Sequence, residues 1–306
     1  MEPPALELVQ RELGPPPLVT TVVMTRNRRT EAMECVRRNQ PPLILVDNGS
    51  TDGTAEAVQR LDRPDVQVVA LPANIGAAAR NIGVRLAQTP LVAFADDDSW
   101  WEADALDRAA AAFAAHPRLG LLAARLLVGA DQATDPVAAQ MAAAPLGRHA
   151  DLPGVDILGF LACAAVVRRA AFLATGGFDD VVFFPGEEER VALDLAALGW
   201  GMAYVDEVVA HHLPSQRRES GSDRSGLIVR NGILTAVMRR PWPVALRRAA
   251  RAARSGPEGQ RALLAAARRL PAALRARRRL PASVERQAAA LETGQPRPGP
   301  LQSTAR

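Results

Sequence analysis

Three consecutive carboxylates, Asp96, Asp97 and Asp98, follow directly on the apolar segment Leu91–Ala95. Such a segment is typical of a buried strand, and ionised carboxylates do not fit an apolar interior unless they are paired. The acids are therefore predicted where the strand leaves the sheet, the edge at which open α/β sheets bind ligands. A divalent cation would relieve their mutual repulsion, and hard oxygen ligands suit Mg²⁺ or Mn²⁺. The alternative is a solvated acidic turn in which Asp98 and Ser99 cap the next helix.

Two further polar clusters follow predicted strands. Thr25, Arg26 and Asn27 come after Leu18–Met24, and Asp47 opens a turn-rich segment after Pro41–Val46. A third strand is predicted at Val66–Leu71, and helices are predicted from Thr30, near Ala55–Leu61 and over Ile75–Gln88. Strands that alternate with helices predict an α/β protein with a mostly parallel sheet. All three polar clusters are therefore expected at one sheet edge, which favours a site for a metal and a nucleotide.

The middle of the chain shows fewer strand and helix signals. Gly129–Leu152 is rich in Ala, Asp and Pro and is interpreted as an insertion or flexible loop. A strand is predicted at Phe160–Val167, and a helix that starts with Glu187, Glu188 and Glu189 is predicted to end at Gly199. A last strand, Gly201–Val209, is expected to deliver His211 and His212 at its end.

Charge divides the chain of 306 residues unevenly. Every basic residue is arginine, and the net charge is +13 from Arg239 onward and −9 before it. The two cysteines, Cys35 and Cys163, have no metal-ligand spacing and are predicted to be buried free thiols. No apolar run is long enough to cross a bilayer and the start of the chain lacks a signal-peptide pattern, so a cytoplasmic protein is expected.

Composition also suggests how the chain is organised. We predict a loose leader (1–17), a main domain (18–238) with halves at 18–100 and 101–238, a basic helical extension (239–292) and a disordered tail (293–306). Within the extension, Val244–Arg286 shows helical patterns with arginine on one face. These helices are expected to pack on the main domain with arginine facing solvent, and peripheral contact with an anionic membrane is a further expectation. Nucleic acid is not expected as a partner because the extension lacks aromatic residues for stacking.

Several motifs in this order resemble one known family. The chain is similar over roughly residues 18–215 to the family 2 glycosyltransferases, which have the GT-A fold, a mostly parallel central sheet flanked by helices. The Asp96–Asp98 triplet resembles the D-x-D motif of that family. The other matching segments are Val22–Arg28, Val46–Thr54, Asn74–Gly76, Ala79–Gly83, Gly176–Asp179, Gly186–Glu188, Gly199–Trp200 and His211–His212.

The resemblance implies inverting transfer of a sugar, as by a hexosyltransferase, from a nucleotide-diphosphate donor to an acceptor hydroxyl, with Mg²⁺ or Mn²⁺ as cofactor. Asp47 would bind the base, and Asp98 would ligate the metal that bridges the two phosphates. His212, or else His211, would complete the metal sphere or touch the diphosphate, and Asp96 would face the ribose or a metal-bound water. The donor-binding set that the resemblance implies is Thr25, Asn27, Asp47, Arg80, Asp96 and Asp97.

The acceptor half would supply the catalytic base. Glu188 matches the position of the family's catalytic acid, and Glu187 is its neighbour; ordinary helix-capping acids are the alternative interpretation. The family commonly has Asp at the position of Glu188. It also often shows an acid followed four residues later by arginine, whereas this chain has Arg190 followed by Asp194.

Three functions fit the sequence to different degrees. The first is a glycosyltransferase, for example in cell-envelope polysaccharide or glycoconjugate synthesis, that acts on a glycan, lipid-linked or small-molecule acceptor. The second is a catalytically silent homologue that binds a nucleotide-sugar or glycan as a partner subunit. The third, a sugar-phosphate nucleotidyltransferase, is disfavoured because Thr20–Arg29 contains no glycine for a phosphate loop.

Overall fold

The computed structural model describes residues 17–214 and 221–293, with side chains from residue 224 in the second range. Its first half alternates strands and helices. The elements are β1 (Val19–Thr25), α1 (Arg29–Arg38), β2 (Leu43–Asp47), α2 (Thr54–Gln59), β3 (Val66–Ala70), α3 (Ala79–Leu86) and β4 (Leu91–Asp96). The four predicted strands are confirmed. The predicted helix over Ile75–Gln88 begins instead as a short 3-10 turn, Gly76–Ala78, ahead of α3.

The second half completes the sheet and covers it. Its elements are β5 (Ser99–Trp101), α4 (Ala105–Ala115), β6 (Leu119–Val128), β7 (Ala133–Thr134), α5 (Pro136–Ala142), β8 (Val155–Asp156), β9 (Ala165–Arg168), α6 (Arg169–Ala174), α7 (Glu188–Ala197) and β10 (Gly201–His212). The strand order is β3-β2-β1-β4-β9-β6-β10-β5. Strands β1 to β4 pair in parallel, whereas β9 runs antiparallel to both β4 and β6. The predicted α/β class is confirmed, and the second half makes the sheet mixed.

Three predictions about the second half are corrected. Most of the predicted strand Phe160–Val167 is a loop and a 3-10 turn, and only Ala165–Arg168 pairs in the sheet, since a short apolar run does not distinguish a strand from other buried backbone. Gly129–Leu152 contains β7 and α5. Asp135 caps α5 by accepting from the backbone N–H of Val137 at 2.7 Å. Strand β10 continues through both histidines instead of ending at Val209.

The C-terminal helices pack on the rest of the molecule. They are α8 (Gly221–Arg239), α9 (Trp242–Arg254), α10 (Pro257–Arg275) and α11 (Ala282–Thr293). Apolar residues of α8, α9 and α10 form a cluster with Val181 and Val182, and Val284 of α11 joins the main core. The expected packing is therefore present. Within the described ranges, no helix is long and apolar enough to cross a membrane.

Not every arginine of this region faces solvent, which corrects the sequence expectation. Arg239 and Arg240 are buried. Arg239 pairs with Asp194 at 2.9 Å, and Arg240 pairs with Glu285 at 2.6 Å. The first pair connects the last residue of α8 to α7, and the second connects the residue after α8 to α11. Both arginines therefore hold helices together. The predicted leader and tail lie, except for residues 17 and 293, outside the described residues. Both cysteines are free and buried, as predicted.

Candidate active site

The acidic triplet lies at the turn between β4 and β5. Asp96 ends β4, and its backbone N–H donates to Ser99 Oγ at 2.8 Å. A short strand follows the turn, and the next helix begins only at Ala105. The alternative of a helix-capping turn is therefore wrong. Each of the three carboxylates lies beside an arginine, Arg80 for Asp96 and Arg28 for the other two, which limits their mutual repulsion.

Asp97 is buried and joins the acidic triplet to the end of β1. Its Oδ2 accepts a hydrogen bond of 2.8 Å from the Thr25 hydroxyl, and its Oδ1 lies 3.3 Å from Arg28 Nη1. Burial raises the pKa of Asp97 to about 7, with Asp98 adding to this effect and Arg28 opposing it. Thr25 and Asp97, both predicted to bind the donor, contact each other and are buried.

Asp98 points to the other half of the domain. Its Oδ1 lies 3.1 Å from His212 Nε2, and its backbone carbonyl accepts from Leu213 N–H at 2.9 Å. Arg28 Nη1 lies 3.2 Å from the second carboxylate oxygen. The structure therefore brings together one carboxylate and one imidazole from distant parts of the chain. Arg28 is a contact residue to which the sequence assigned no role, although crowded acids call for a cation nearby.

His211 lies on the opposite face of β10. Its ring stacks on Trp100 with the centroids 5.2 Å apart, and its Nδ1 lies 2.5 Å from Gln132 Oε1. Burial lowers its pKa. Because neighbouring side chains of a strand point to opposite faces, only one of the two histidines can face Asp98. The structure gives that position to His212.

The donor set at this turn fits a divalent cation in part. Within residues 17–214 and 221–293, no group of three or more His, Cys, Asp or Glu side chains converges at a single point. Asp98 offers a carboxylate oxygen, the type of ligand that suits both Mg²⁺ and Mn²⁺, whereas the imidazole nitrogen of His212 suits a transition metal better than Mg²⁺. Such ions commonly keep water and substrate phosphate oxygens as their remaining ligands. Two protein ligands are therefore compatible with a metal that a diphosphate would share.

Arg80 links the acidic turn to the start of α7. It is 1% exposed, its Nη2 lies 2.5 Å from Asp96 Oδ1, and its Nη1 lies 3.5 Å from Glu187 Oε1. Burial alone would lower the pKa of Arg80, but Asp96 and Glu187 raise it above its usual value. A buried guanidinium is tolerated only where carboxylates compensate its lost hydration. Arg80 therefore fixes the position of two carboxylates from the two halves of the domain.

The two candidate catalytic glutamates differ in their surroundings. Glu187 is buried, and its Oε2 is without a hydrogen-bond partner among the described residues. Burial, with the neighbouring charge of Glu188, raises its pKa well above the ordinary value. Glu188 begins α7, is partly buried, and lines a cavity. Burial raises its pKa too, although its own backbone N–H and Arg80 act in the opposite direction. Glu188 is thus the more accessible carboxylate of the two.

The departures in α7 preserve an ion pair. Arg190 Nη1 lies 2.5 Å from Asp194 Oδ2, which is the reversed i, i+4 pair expected from the sequence. Arg190 also pairs with Asp179, and Asp194 pairs with Arg239. Glu189 turns away to Arg248, with oxygen–nitrogen distances of 2.8 and 3.0 Å. The helix that carries Glu188 is therefore held by ion pairs on several sides.

The predicted base-binding residues lie at the same sheet edge, after β1 and β2. Asp47 Oδ1 accepts from Ser50 N–H at 2.9 Å, and Asn27 Oδ1 accepts from Thr51 N–H at 2.8 Å. The first bond lies within the turn after β2, and the second joins that turn to the loop after β1. Gly49 has a φ of +75°, and a Cβ there would lie 2.7 Å from the Ala73 backbone, so the close approach of the turn after β2 to the loop after β3 requires glycine.

The mixed sheet, with an acidic turn at the carboxyl end of β4 and a carboxylate-bearing helix opposite it, defines a GT-A-type transferase. The chain matches the family model described as Glycosyl transferase family 2 over residues 20–175, and it belongs to that family. It is a glycosyltransferase.

Individual relatives agree with this assignment. An N-acetylglucosaminyl-diphospho-decaprenol L-rhamnosyltransferase of Mycobacterium tuberculosis is 30% identical over 216 residues, 59% of this chain and 69% of the relative. The Bacillus subtilis glycosyltransferase TuaG, named for teichuronic acid biosynthesis, is 37% identical over 101 residues, 30% of this chain and 40% of TuaG. A mannosyltransferase of Pyrobaculum calidifontis in complex with GDP-Man and Mn²⁺ superposes with a TM-score of 0.53. It is 24% identical, with 93% of this chain and 84% of that chain covered, and it supports the fold.

Proposed function

We propose that this protein transfers a hexosyl group, with inversion, from a nucleotide-diphosphate donor to an acceptor hydroxyl, with a divalent metal as cofactor. The observation that carries the proposal is the link made by Arg80. It connects Asp96, at the acidic turn, to Glu187, whose neighbour Glu188 faces a cavity. This link supports the proposal because it holds a proposed donor-binding residue next to the proposed catalytic glutamates.

Asp98 and His212 are the proposed protein ligands of the metal. When bound, Mg²⁺ or Mn²⁺ would stabilise the negative charge that develops on the departing diphosphate. Asp98 is held between His212 and Arg28, so both of its oxygens are fixed in position. His211 is not retained in the proposed site because it stacks on Trp100.

Glu188 is the proposed catalytic base, with Glu187 in a positioning role. A base works best when its pKa lies near the working pH, and burial raises the pKa of Glu188 in that direction. In the proposed mechanism, Glu188 takes the proton of the acceptor hydroxyl as that oxygen attacks the anomeric carbon. The bond from that carbon to the diphosphate oxygen breaks, and its electron pair leaves with the nucleoside diphosphate. Glu187 hydrogen-bonds with buried Arg80 and thereby fixes the first turn of α7.

Asp47, Thr25, Asn27, Arg80, Asp96 and Asp97 are the proposed donor-binding residues. Asp47 and Asn27 brace the loops that would receive the base. Thr25 and Asp97 would support the site indirectly, because their hydrogen bond holds β1 against the acidic turn. Arg80 orients Asp96, which would meet the ribose or a metal-bound water.

The names of the relatives favour a role in cell-envelope polysaccharide or glycoconjugate synthesis. One is named for teichuronic acid biosynthesis, and the other for transfer to a diphospho-decaprenol-linked sugar. We propose the same broad role for this protein.

The experiment that tests this function is calorimetric binding of UDP, dTDP and GDP, each with Mn²⁺ and with a chelator. Wild type is compared with Asp98→Ala, and His211→Ala is the matched control on the other face of β10. We expect one nucleotide to bind in a metal-dependent way to wild type and His211→Ala, and not to Asp98→Ala. Absence of metal-dependent binding for all three nucleotides would refute the proposal.

A catalytically silent nucleotide-sugar or glycan-binding subunit is the second candidate. The observation in its favour is the pair between Arg28 and Asp98, which occupies one oxygen of the proposed metal ligand. Sugar transfer that requires Glu188 would exclude this candidate.

Peripheral contact with an anionic membrane is a further part of the proposal. Trp242 and Leu246 are 46% and 65% exposed, and they are one turn apart on α9. Arginines of the same helix, including Arg247 and Arg254, lie nearby in sequence and would attract anionic lipids. Vesicles with anionic lipid should bind the protein at low salt and release it at high salt. Equal binding to neutral vesicles would contradict an electrostatic contact.

A further inference from the structure

A cavity of about 710 Å³ opens beside Glu188. Its volume lies within the usual range for small-molecule sites, about 300–1,000 Å³. It is bounded by the loop before β9, by the start of α7, and by α5, α8, α9 and α11. Much of the wall is apolar, with side chains that include Val137, Met141, Ile157, Phe160, Ile228 and Ile233. We call it the apolar cavity.

Exposed apolar side chains mark the rim of the apolar cavity. Val137 is 42% exposed, Ile228 is 48% exposed, and Leu291 is 36% exposed. They come from α5, α8 and α11, three elements that are far apart in the chain. Apolar side chains that converge around a concave surface indicate a ligand or partner, whereas isolated ones do not. A sugar alone would be poorly matched, because an apolar wall offers few hydrogen-bonding groups for its hydroxyls.

Two arginines line the apolar cavity, and one of them leaves a positive charge available there. Arg248 is neutralised by Glu189 and Glu292. Arg251 lines the cavity and is exposed, and among the residues that the structure describes no carboxylate pairs with it. Guanidinium groups bind phosphate oxygens well. The cavity therefore combines an apolar wall, a cation available to an anion, and the proposed base.

We infer that the apolar cavity binds the hydrocarbon chain of a lipid-linked acceptor, with Arg251 binding its phosphate, and this inference rests on the proposed function. Among glycan, lipid-linked and small-molecule acceptors, the wall selects the lipid-linked class. Burial of a hydrocarbon chain against this wall would remove apolar surface from water, which is favourable and which a free saccharide cannot supply. The acceptor hydroxyl would then lie toward Glu188.

Farnesyl phosphate is the probe, because it carries a prenyl chain and a phosphate but no sugar. Its binding to the full-length chain is measured by calorimetry, with a chelator present so that a metal at Asp98 cannot hold the phosphate. Farnesol and inorganic phosphate are measured in parallel. We expect farnesyl phosphate to bind more tightly than either, since chain and phosphate contribute together.

Surface variants locate the binding. Ile228→Asp should weaken farnesyl phosphate binding by at least about tenfold, because a charge would face the hydrocarbon chain. Arg251→Ala should reduce the preference for farnesyl phosphate over farnesol. The matched controls are Leu264→Asp and Arg261→Ala, which alter exposed residues of α10 that do not line the cavity. Both controls should bind as wild type does, and all four side chains are exposed enough to leave the core intact.

Two outcomes would overturn the inference. One is failure of wild type to bind farnesyl phosphate, and the other is equal weakening by the cavity variants and their controls, which would indicate adsorption at the helix surface. Nucleotide binding on the same preparations separates this from the proposed function. Retained metal-dependent nucleotide binding without farnesyl phosphate binding would reject the lipid-linked acceptor alone, whereas loss of nucleotide binding would reject the function.

Discussion

Asp98 Oδ1 lies 3.1 Å from His212 Nε2, although the two residues come from opposite halves of the domain. The backbone explains this contact. Strand β5, directly after the acidic turn, pairs antiparallel with the end of β10, and His212 is opposite Ser99. Because the pairing register also sets which face each side chain occupies, the same pairing turns His211 away. The contact therefore depends on the fold of the whole sheet.

This geometry predicts different consequences for the two histidines. His212→Ala should lower metal-dependent nucleotide affinity by about 10–100-fold, since even loss of a residue that only supports a ligand costs that much. His211→Ala should change it little because its ring contacts Trp100 and Gln132. Calorimetry with Mn²⁺ measures both variants. Equal effects in the two variants would contradict the assignment of His212.

Glu188→Gln separates catalysis from binding. Gln keeps the shape of Glu188 but cannot accept the acceptor proton, so we expect kcat to fall by about 10²–10⁴-fold. Nucleotide affinity should remain as in wild type. Glu189→Gln is the matched control on the same turn, because its carboxylate pairs with Arg248. Turnover is measured as nucleoside diphosphate release. Wild-type turnover in Glu188→Gln would remove this residue from the mechanism.

Much of the first half could be predicted because each motif follows an apolar strand. Thr25, Asp47 and Asp96 all end strands that run in parallel, so their convergence needs only the direction of the sheet. The choice between His211 and His212 required the length and register of β10, which a sequence pattern does not determine. The role of Arg28 was missed because its contacts are with residues of another strand end.

The fold of the second half was harder to predict for a physical reason. Strand β9 is short and buried between β4 and β6, and a buried run of this length has no distinctive periodicity. Asp135 as N-cap followed by Pro136 is a sequence pattern typical of a helix start. The Ala-, Asp- and Pro-rich composition of Gly129–Leu152 as a whole nevertheless favours a loop. The apolar cavity could not be predicted, since it exists only where α5 meets the C-terminal helices.

Removal of Arg80 should destabilise the fold strongly. At a pH high enough to ionise Glu187, Arg80→Met would leave its buried carboxylate without a cation, and breaking a buried ion pair typically costs about 3–5 kcal/mol. We expect this loss in the free energy of unfolding measured with urea. The double variant Arg80→Met with Glu187→Gln should lose less than the sum of the two single variants, because the unpaired charge is gone. Additive losses would indicate that Arg80 and Glu187 act independently.

Glu187 should make stability depend on pH. Its pKa is raised by burial and by Glu188, while Arg80 acts in the opposite direction and Asp96 adds to the rise. The folded state therefore holds the proton more tightly than the unfolded chain, whose Glu pKa is about 4.3. This contribution to stability is fully present below that value and is lost as the pH rises toward the folded pKa.

Glu187→Gln stays neutral at every pH and removes this dependence. Measured with urea across the range from below the unfolded pKa to neutrality, the variant should gain stability relative to wild type as the pH rises. Glu285→Gln is a control, because Glu285 is a partly exposed residue of α11 whose ion-pair partner is Arg240 and not Arg80. A difference between Glu187→Gln and wild type that stays constant with pH would show that the carboxylate keeps the same charge in both states, and would contradict a raised pKa.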